Sequence, residues 1–133
     1  MASAEVKSDR RYTKDHEWAK EVDGEVRIGI TSFAVEQLGD ITLVNLDVKA
    51  GDTITAGKAF GTIESVKTLS DLFAPVSGKV SAVNPALEHK PELVNDDCYE
   101  GAWMISITPS HASELEGLLS PEAYQKVVES ASH

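Results

Sequence analysis

Lys67 is the residue of this chain most plainly placed to do chemistry. It stands between two runs with strand periodicity. Ahead of it, Phe60, Thr62, Glu64 and Val66 alternate with Gly61, Ile63 and Ser65; beyond it, Val76, Val80 and Ala82 alternate with Ser77, Lys79 and Ser81. A period of two marks strands, so the spacing predicts a hairpin with Lys67 exposed at or beside its tip. Most surface lysines are simply solvated. Here Val66 and Leu69 stand close by, and a tip has no core beneath it to receive apolar side chains. Their presence points to a partner protein or to an attached group. Lysine's long flexible stem suits a swinging tether, and forming an amide at its amine would remove the charge.

Other reactive constellations do not assemble. His16, His89, His111 and His133 have no partner at metal-ligand spacing, and the single Cys98 cannot build a zinc site. Gly51 to Gly57-Lys58 is one residue too long for a phosphate loop, and Ala59 stands where a Ser or Thr would have to reach magnesium. There is no Gly-x-Ser-x-Gly elbow. Asp96-Asp97 reads as solvated loop charge rather than a catalytic dyad. His16-Glu17 is a general-base pair in principle, although a polar strand edge is the plainer reading of His16.

Composition narrows the partners. The chain has 133 residues, 41% hydrophobic and 26% charged, which suits one globular domain with a modest core. A net charge of −10 repels phosphate backbones and anionic lipid, so neither nucleic acid nor membrane is expected. One cysteine precludes an internal disulfide and fits a reducing compartment. Residues 1–11 are polar, lack the apolar segment of a secretory signal and read as a flexible lead-in to a single domain over 12–133.

The elements that must position Lys67 are short. Glu17 to Val22 and Glu25 to Ile30 form a predicted hairpin around Asp23-Gly24, a primed-turn signal. Thr31 or Ser32 caps a short helix that stops at Gly39. Ile41 to Val48 reads as a buried strand, and Thr53-Ile54-Thr55 as a short one between two turns. Asn84 to Asp97, with Pro85 and Pro91, reads as a long loop, and Ala102 to Thr108 as a strand. Ser113-Glu114-Leu115-Glu116 has the form of a capping box, and Ser120-Pro121 opens a last helix striped by Tyr124, Val127 and Val128. Many short strands between Gly and Pro turns predict a barrel or sandwich with a few helices.

Glu64-Ser65-Val66-Lys67, followed by Ser70-Asp71 and Ala74-Pro75-Val76-Ser77-Gly78, resembles the lipoyl-lysine hairpin of the glycine cleavage H-protein family. Biotinyl domains carry Met-Lys-Met at this tip and dehydrogenase lipoyl domains usually Asp-Lys-Ala; Val66-Lys67-Thr68 fits neither. The resemblance continues through Tyr12-Thr13-Lys14-Asp15-His16-Glu17-Trp18, Gly29-Ile30-Thr31, Leu38-Gly39-Asp40-Ile41, Pro91-Glu92-Leu93-Val94-Asn95 and Trp103-Met104-Ile105, so it covers roughly Tyr12 to Tyr124. Asp47 replaces a usual proline, Val35 a common glutamine and Cys98 the proline before Tyr99. None of these touches the hairpin.

The resemblance implies a mainly β barrel-sandwich hybrid, with a short internal helix and C-terminal helices, that carries lipoate on Lys67. It implies a carrier rather than an enzyme. An aminomethyl group would pass from a pyridoxal-phosphate-dependent glycine decarboxylase to a tetrahydrofolate-dependent aminomethyltransferase, and an FAD-dependent dihydrolipoyl dehydrogenase would reoxidise the arm. A lipoate ligase or lipoyl transferase would attach the group, reading Glu64, Val66, Asp71 and Gly78 around the lysine. Glu17 and His16 would line a cleft that shelters the loaded arm. The alternatives are an H-like protein that mainly donates lipoyl groups to 2-oxo acid dehydrogenases, or a biotinyl-type carrier. The expected form is a monomer in the mitochondrial matrix or the bacterial cytoplasm.

Overall fold

The computed structural model describes residues 6–131. Strand β1 (Arg11–Tyr12) leads into β2 (Glu17–Val22) and β3 (Glu25–Ile30), joined where the sequence places a turn. Asp23 and Gly24 both take positive φ, 53° and 83°, as a two-residue primed turn requires. In this pair Trp18 lies opposite Gly29. A Cβ on Gly29 would come within 2.6 Å of the indole, so only glycine lets the ring lie flat there. Helix α1 (Ser32–Leu38) follows, with the Thr31 hydroxyl accepting from Ala34 N–H, and it ends at Gly39 with φ 83°.

Strands β4 (Ile41–Leu46), β6 (Ala59–Ser65) and β7 (Leu69–Phe73) form a three-stranded antiparallel sheet in the order β4-β6-β7. Strands β5 (Thr53–Ile54), β8 (Gly78–Val83) and β9 (Ile105–Pro109) join the first three in a six-stranded sheet ordered β1-β2-β3-β9-β8-β5. Val26, Ile28, Val80 and Ile107 from the larger sheet and Val44, Phe60, Ile63 and Leu72 from the smaller belong to one buried cluster. That alternation of inward apolar and outward polar residues is what the period-two sequence pattern encodes. The fold is mainly β, as expected, with short helices.

Four expectations change. The return strand from the lysine is Leu69–Phe73, not the run around Val76 to Ala82. The latter falls in β8, which pairs with β5 and β9 in the other sheet. A two-residue period announces a strand but not its partner. Ile41 to Val48 is only half buried: β4 ends at Leu46, and Thr42 and Leu43 face solvent. Asn84 to Asp97 is no plain loop but holds α2 (Ala86–His89) and α3 (Leu93–Asp97), each sinking one residue, Leu87 and Val94, into the core. Helices this short show no periodicity a sequence can reveal. Helix α4 (Ala112–Glu116) begins before Ser113, and Glu114 does not cap it. Its carboxylate instead accepts from Ser77 N–H at 2.7 Å and from the Ser77 hydroxyl at 3.1 Å, holding the crossing from β7 to β8.

The lead-in also shortens. Residues 1–5 lie outside the described residues, but Arg10 is buried, its guanidinium stacked 4.7 Å over Trp18 and 5.1 Å over Tyr99. It donates to the Tyr99 carbonyl and pairs with Asp9 and Glu100. The last helix, α5 (Pro121–Ala131), is capped by Ser120, whose hydroxyl accepts from Ala123 N–H, and it lays Tyr124 flat against Tyr12 at 4.5 Å between ring centroids.

Candidate functional site: the lysine hairpin and the cleft beside it

The tip joining β6 to β7 is tight. Ser65 N–H donates to the Thr68 carbonyl at 2.8 Å, leaving Val66 and Lys67 as the two central residues. Two-residue hairpin turns ordinarily need positive φ, which a β-branched valine strongly resists. Neither central residue adopts it. The turn is closed by accessory bonds instead. The Ser65 hydroxyl accepts from Lys67 N–H at 3.1 Å and Thr68 N–H at 3.2 Å. Val66 N–H donates to the Asp40 carbonyl at 3.0 Å. Ser65 is thus a site residue that sequence reading passed over. Its signal, a Ser two residues before the lysine, was present but common to many turns.

Lys67 is exposed and takes part in no ion pair among the described residues. Val66 is 67% and Leu69 62% exposed, and Leu43 at 49% completes the exposed large apolar side chains of the described residues. Leu43 stands opposite Glu64, and Glu64 opposite Leu69. The three therefore share one outward row across the small sheet, a carboxylate between two leucines. Asp71 lies one row further along the same face, opposite Thr62. Leu43 was invisible as a neighbour of the lysine because pairing, not chain order, brings it there.

Gly78 does not belong to the hairpin. It pairs with Ile54 and Pro109 in the large sheet. A Cβ there would lie 2.4 Å from the Thr108 carbonyl oxygen, so this glycine serves strand packing.

The lysine stem rests on the end of α1: a Cβ on Gly39 would lie 3.2 Å from Lys67 Cε. Gln37 and Leu38, in the last turn of that helix, form one wall of a small cleft. The cleft holds about 140 Å³ and is also lined by Glu17, Ile63, Asp71 and Leu72. The hairpin and the first strand pair thus meet at one site.

Glu17 is 2% exposed. One carboxylate oxygen accepts from the Thr13 hydroxyl at 2.6 Å and the other from Phe73 N–H at 3.3 Å. Burial pushes its pKa up to about 7, against the lowering effect of those two bonds. His16, at φ 70°, is held differently. Its Nδ1 lies 2.8 Å from the Tyr124 hydroxyl, which lies 2.7 Å from the Thr31 hydroxyl. Burial lowers the His16 pKa. Each residue has its own partners, so no His16–Glu17 general-base pair is built. Among the described residues no group of His, Cys, Asp and Glu could hold a metal ion, and no helix is long and apolar enough to cross a membrane.

This is the geometry of a carrier domain: one amine is held out to solvent on a short stiff hairpin, with a sheltered cleft beside its root. A family model described as glycine cleavage H-protein matches residues 10–131. The glycine cleavage system H protein of Oceanobacillus iheyensis is 52% identical over 121 residues, covering 91% of this chain and 95% of that one. That of Bacillus anthracis is 52% identical over 122 residues, covering 92% and 95%. The crystal structure of a glycine cleavage system H protein from Mycobacterium marinum superposes with a TM-score of 0.83 at 38% identity, covering 96% of this chain and all of that one. The chain belongs to the glycine cleavage H-protein family.

Proposed function

We propose that the protein holds lipoate in amide linkage to Lys67 Nζ and serves as the carrier among the enzymes of glycine cleavage, itself catalysing nothing. The observation that carries this reading is the tip, where an exposed and ion-pair-free lysine is flanked by exposed Val66 and Leu69. Single exposed apolar residues are ordinary, but three gathered beside one lysine suit repeated enclosure by partner active sites. The residues present fit the group. Lys67 provides a nucleophilic amine on a flexible stem, and the cleft offers apolar walls from Ile30, Leu38, Ile63 and Leu72.

When bound, lipoate supplies a disulfide that takes up an aminomethyl group from a pyridoxal-phosphate-dependent decarboxylase, yields it to a tetrahydrofolate-dependent transferase and is reoxidised by a flavoenzyme. This chain's part is to bind, orient and exclude water. Ser65 and Asp40 hold the root of the arm still. Glu17 faces the cleft, where a cationic cargo would favour its ionised form and pair with it, and apolar walls would keep water from the pair. Such a charge-assisted pair contributes about 1.5–3 kcal/mol. The attaching enzyme, a lipoate ligase or lipoyl transferase, would read the Leu43–Glu64–Leu69 row together with Val66 and Asp71. The setting is the bacterial cytoplasm or the mitochondrial matrix.

The test is an intact-mass measurement of the protein co-expressed with a lipoate ligase, beside Lys67→Arg. Wild type gains one lipoyl mass. The variant folds as before, because an exposed turn residue costs little to change, and gains none. Lipoylation of Lys67→Arg, or of Lys58 or Lys79 in wild type, would overturn the assignment.

A further inference from the structure

Asn95 lies in α3, far in sequence from the lysine, and its side chain reaches the corner between α1 and β4. Its Oδ1 accepts from Ile41 N–H at 2.9 Å and its Nδ2 donates to the Gly39 carbonyl at 2.9 Å. The two bonds grip the backbone on either side of Asp40. Ile41 N–H and the Asp40 carbonyl belong to the same peptide plane, and in a planar trans peptide they point in opposite directions. With the N–H turned toward Asn95, the carbonyl is turned away from it, and there it accepts from Val66 N–H at 3.0 Å. Val66 immediately precedes Lys67.

We propose that Asn95 is the positioning residue for Lys67, fixing through the Asp40 peptide the carbonyl that anchors the hairpin tip. The tip needs such an anchor because Val66 and Lys67 do not take the positive φ that would close a two-residue turn by backbone geometry alone. The Ser65 hydroxyl ties the far side of the turn, at Lys67 and Thr68. The near side, at Val66, is tied to Asp40. Gly39, whose carbonyl Asn95 holds, also carries the lysine stem against it. Asn95 is exposed, so water can satisfy the groups it leaves if it is removed. The chain then keeps its fold and loses the orientation.

This inference rests on Lys67 being the attachment site, and its test separates the two. Hydrogen exchange of individual amides is measured in wild type, Asn95→Ala and Asn95→Asp, without any lipoate. Lipoylation by a lipoate ligase is then followed at varied protein concentration. In Asn95→Ala the Val66 amide exchanges about tenfold faster, amides of β2 and β3 keep their protection, and kcat/KM for attachment falls about tenfold through a higher KM. Asn95→Asp keeps the acceptor for Ile41 N–H but loses the donor to the Gly39 carbonyl, so its Val66 protection and attachment rate fall between those of Asn95→Ala and wild type. Unchanged Val66 exchange in Asn95→Ala would overturn the proposal. So would faster exchange throughout the molecule, or faster Val66 exchange with unchanged attachment. If wild-type Lys67 takes no lipoate, the carrier reading fails while the exchange data still decide whether Asn95 anchors the tip.

Discussion

Glu17 shows how burial sets the behaviour of a single residue. Its carboxyl is buried and bonded to Thr13 and Phe73, and its pKa rises from 4.5 to about 7. An acid with a raised folded-state pKa holds more protons folded than unfolded. Its contribution to stability is therefore fully present below pH 4.5 and is lost as the pH rises toward 7. Glu17→Gln removes the titrating group and with it that pH dependence. The stability of wild type relative to the variant should fall between pH 4.5 and about 7 by up to about 3 kcal/mol, then level off. Urea unfolding of both proteins across this range checks it, and parallel curves would show that Glu17 does not titrate in this window. Leu43 acts at the surface instead, on the outward row beside Glu64. Leu43→Ser changes a half-exposed side chain and should leave stability within roughly 0.5–1 kcal/mol of wild type. The KM of the lipoate-attaching enzyme should nevertheless rise several-fold, as read from initial rates; an unchanged KM would remove Leu43 from the recognised face.

At the scale of elements, the separation of β7 from β8 decides which residues the hairpin owns. Chain order suggests that Gly78 ends the return strand, yet it lies in the opposite sheet against the Thr108 carbonyl. Gly78→Val must push β8 from β9, because the atom it meets is backbone and cannot swing aside. The expected result is a loss of about 3 kcal/mol in thermal or urea unfolding. At a temperature where the variant is still folded, Lys67 should be lipoylated at the wild-type rate. A stable Gly78→Val that fails to be lipoylated would return this glycine to the recognition site.

For the molecule as a whole, the described N-terminal segment closes one end of the core. Arg10 is clamped between Trp18 and Tyr99, donates to the Tyr99 carbonyl and answers Asp9 and Glu100. Its charge holds Asp9 well below the ordinary carboxylate range, at about 2. Arg10→Ala removes the stacking and leaves a buried carbonyl without its donor, costing about 3 kcal/mol. Differential scanning calorimetry should show a melting temperature lower by ten degrees or so. Lipoylation of the folded fraction should be intact, since the clamp and the hairpin share no contacts among those described above. A melting temperature within a degree or two of wild type would show that this segment is dispensable.

Much of this was legible in the residues taken alone. The β2–β3 hairpin, a helix cap at Thr31 or Ser32, the Gly39 stop, the Ser120-Pro121 start and the tip position of Lys67 all depend on neighbours within a few positions. Local backbone preference and side-chain period carry that information directly. What only the tertiary structure decided depends on contacts between distant segments. It paired β8 with β9 rather than with β6, set Leu43 beside Glu64, turned Asn84–Asp97 into two core-filling helices, and brought Asn95 to the peptide that anchors the tip. A period of two looks the same whichever strand lies alongside. An asparagine in a polar stretch looks the same whether it meets water or a backbone corner more than fifty residues away in sequence. Local sequence could therefore place the lysine on a turn, while its orientation came from the packing of the whole chain.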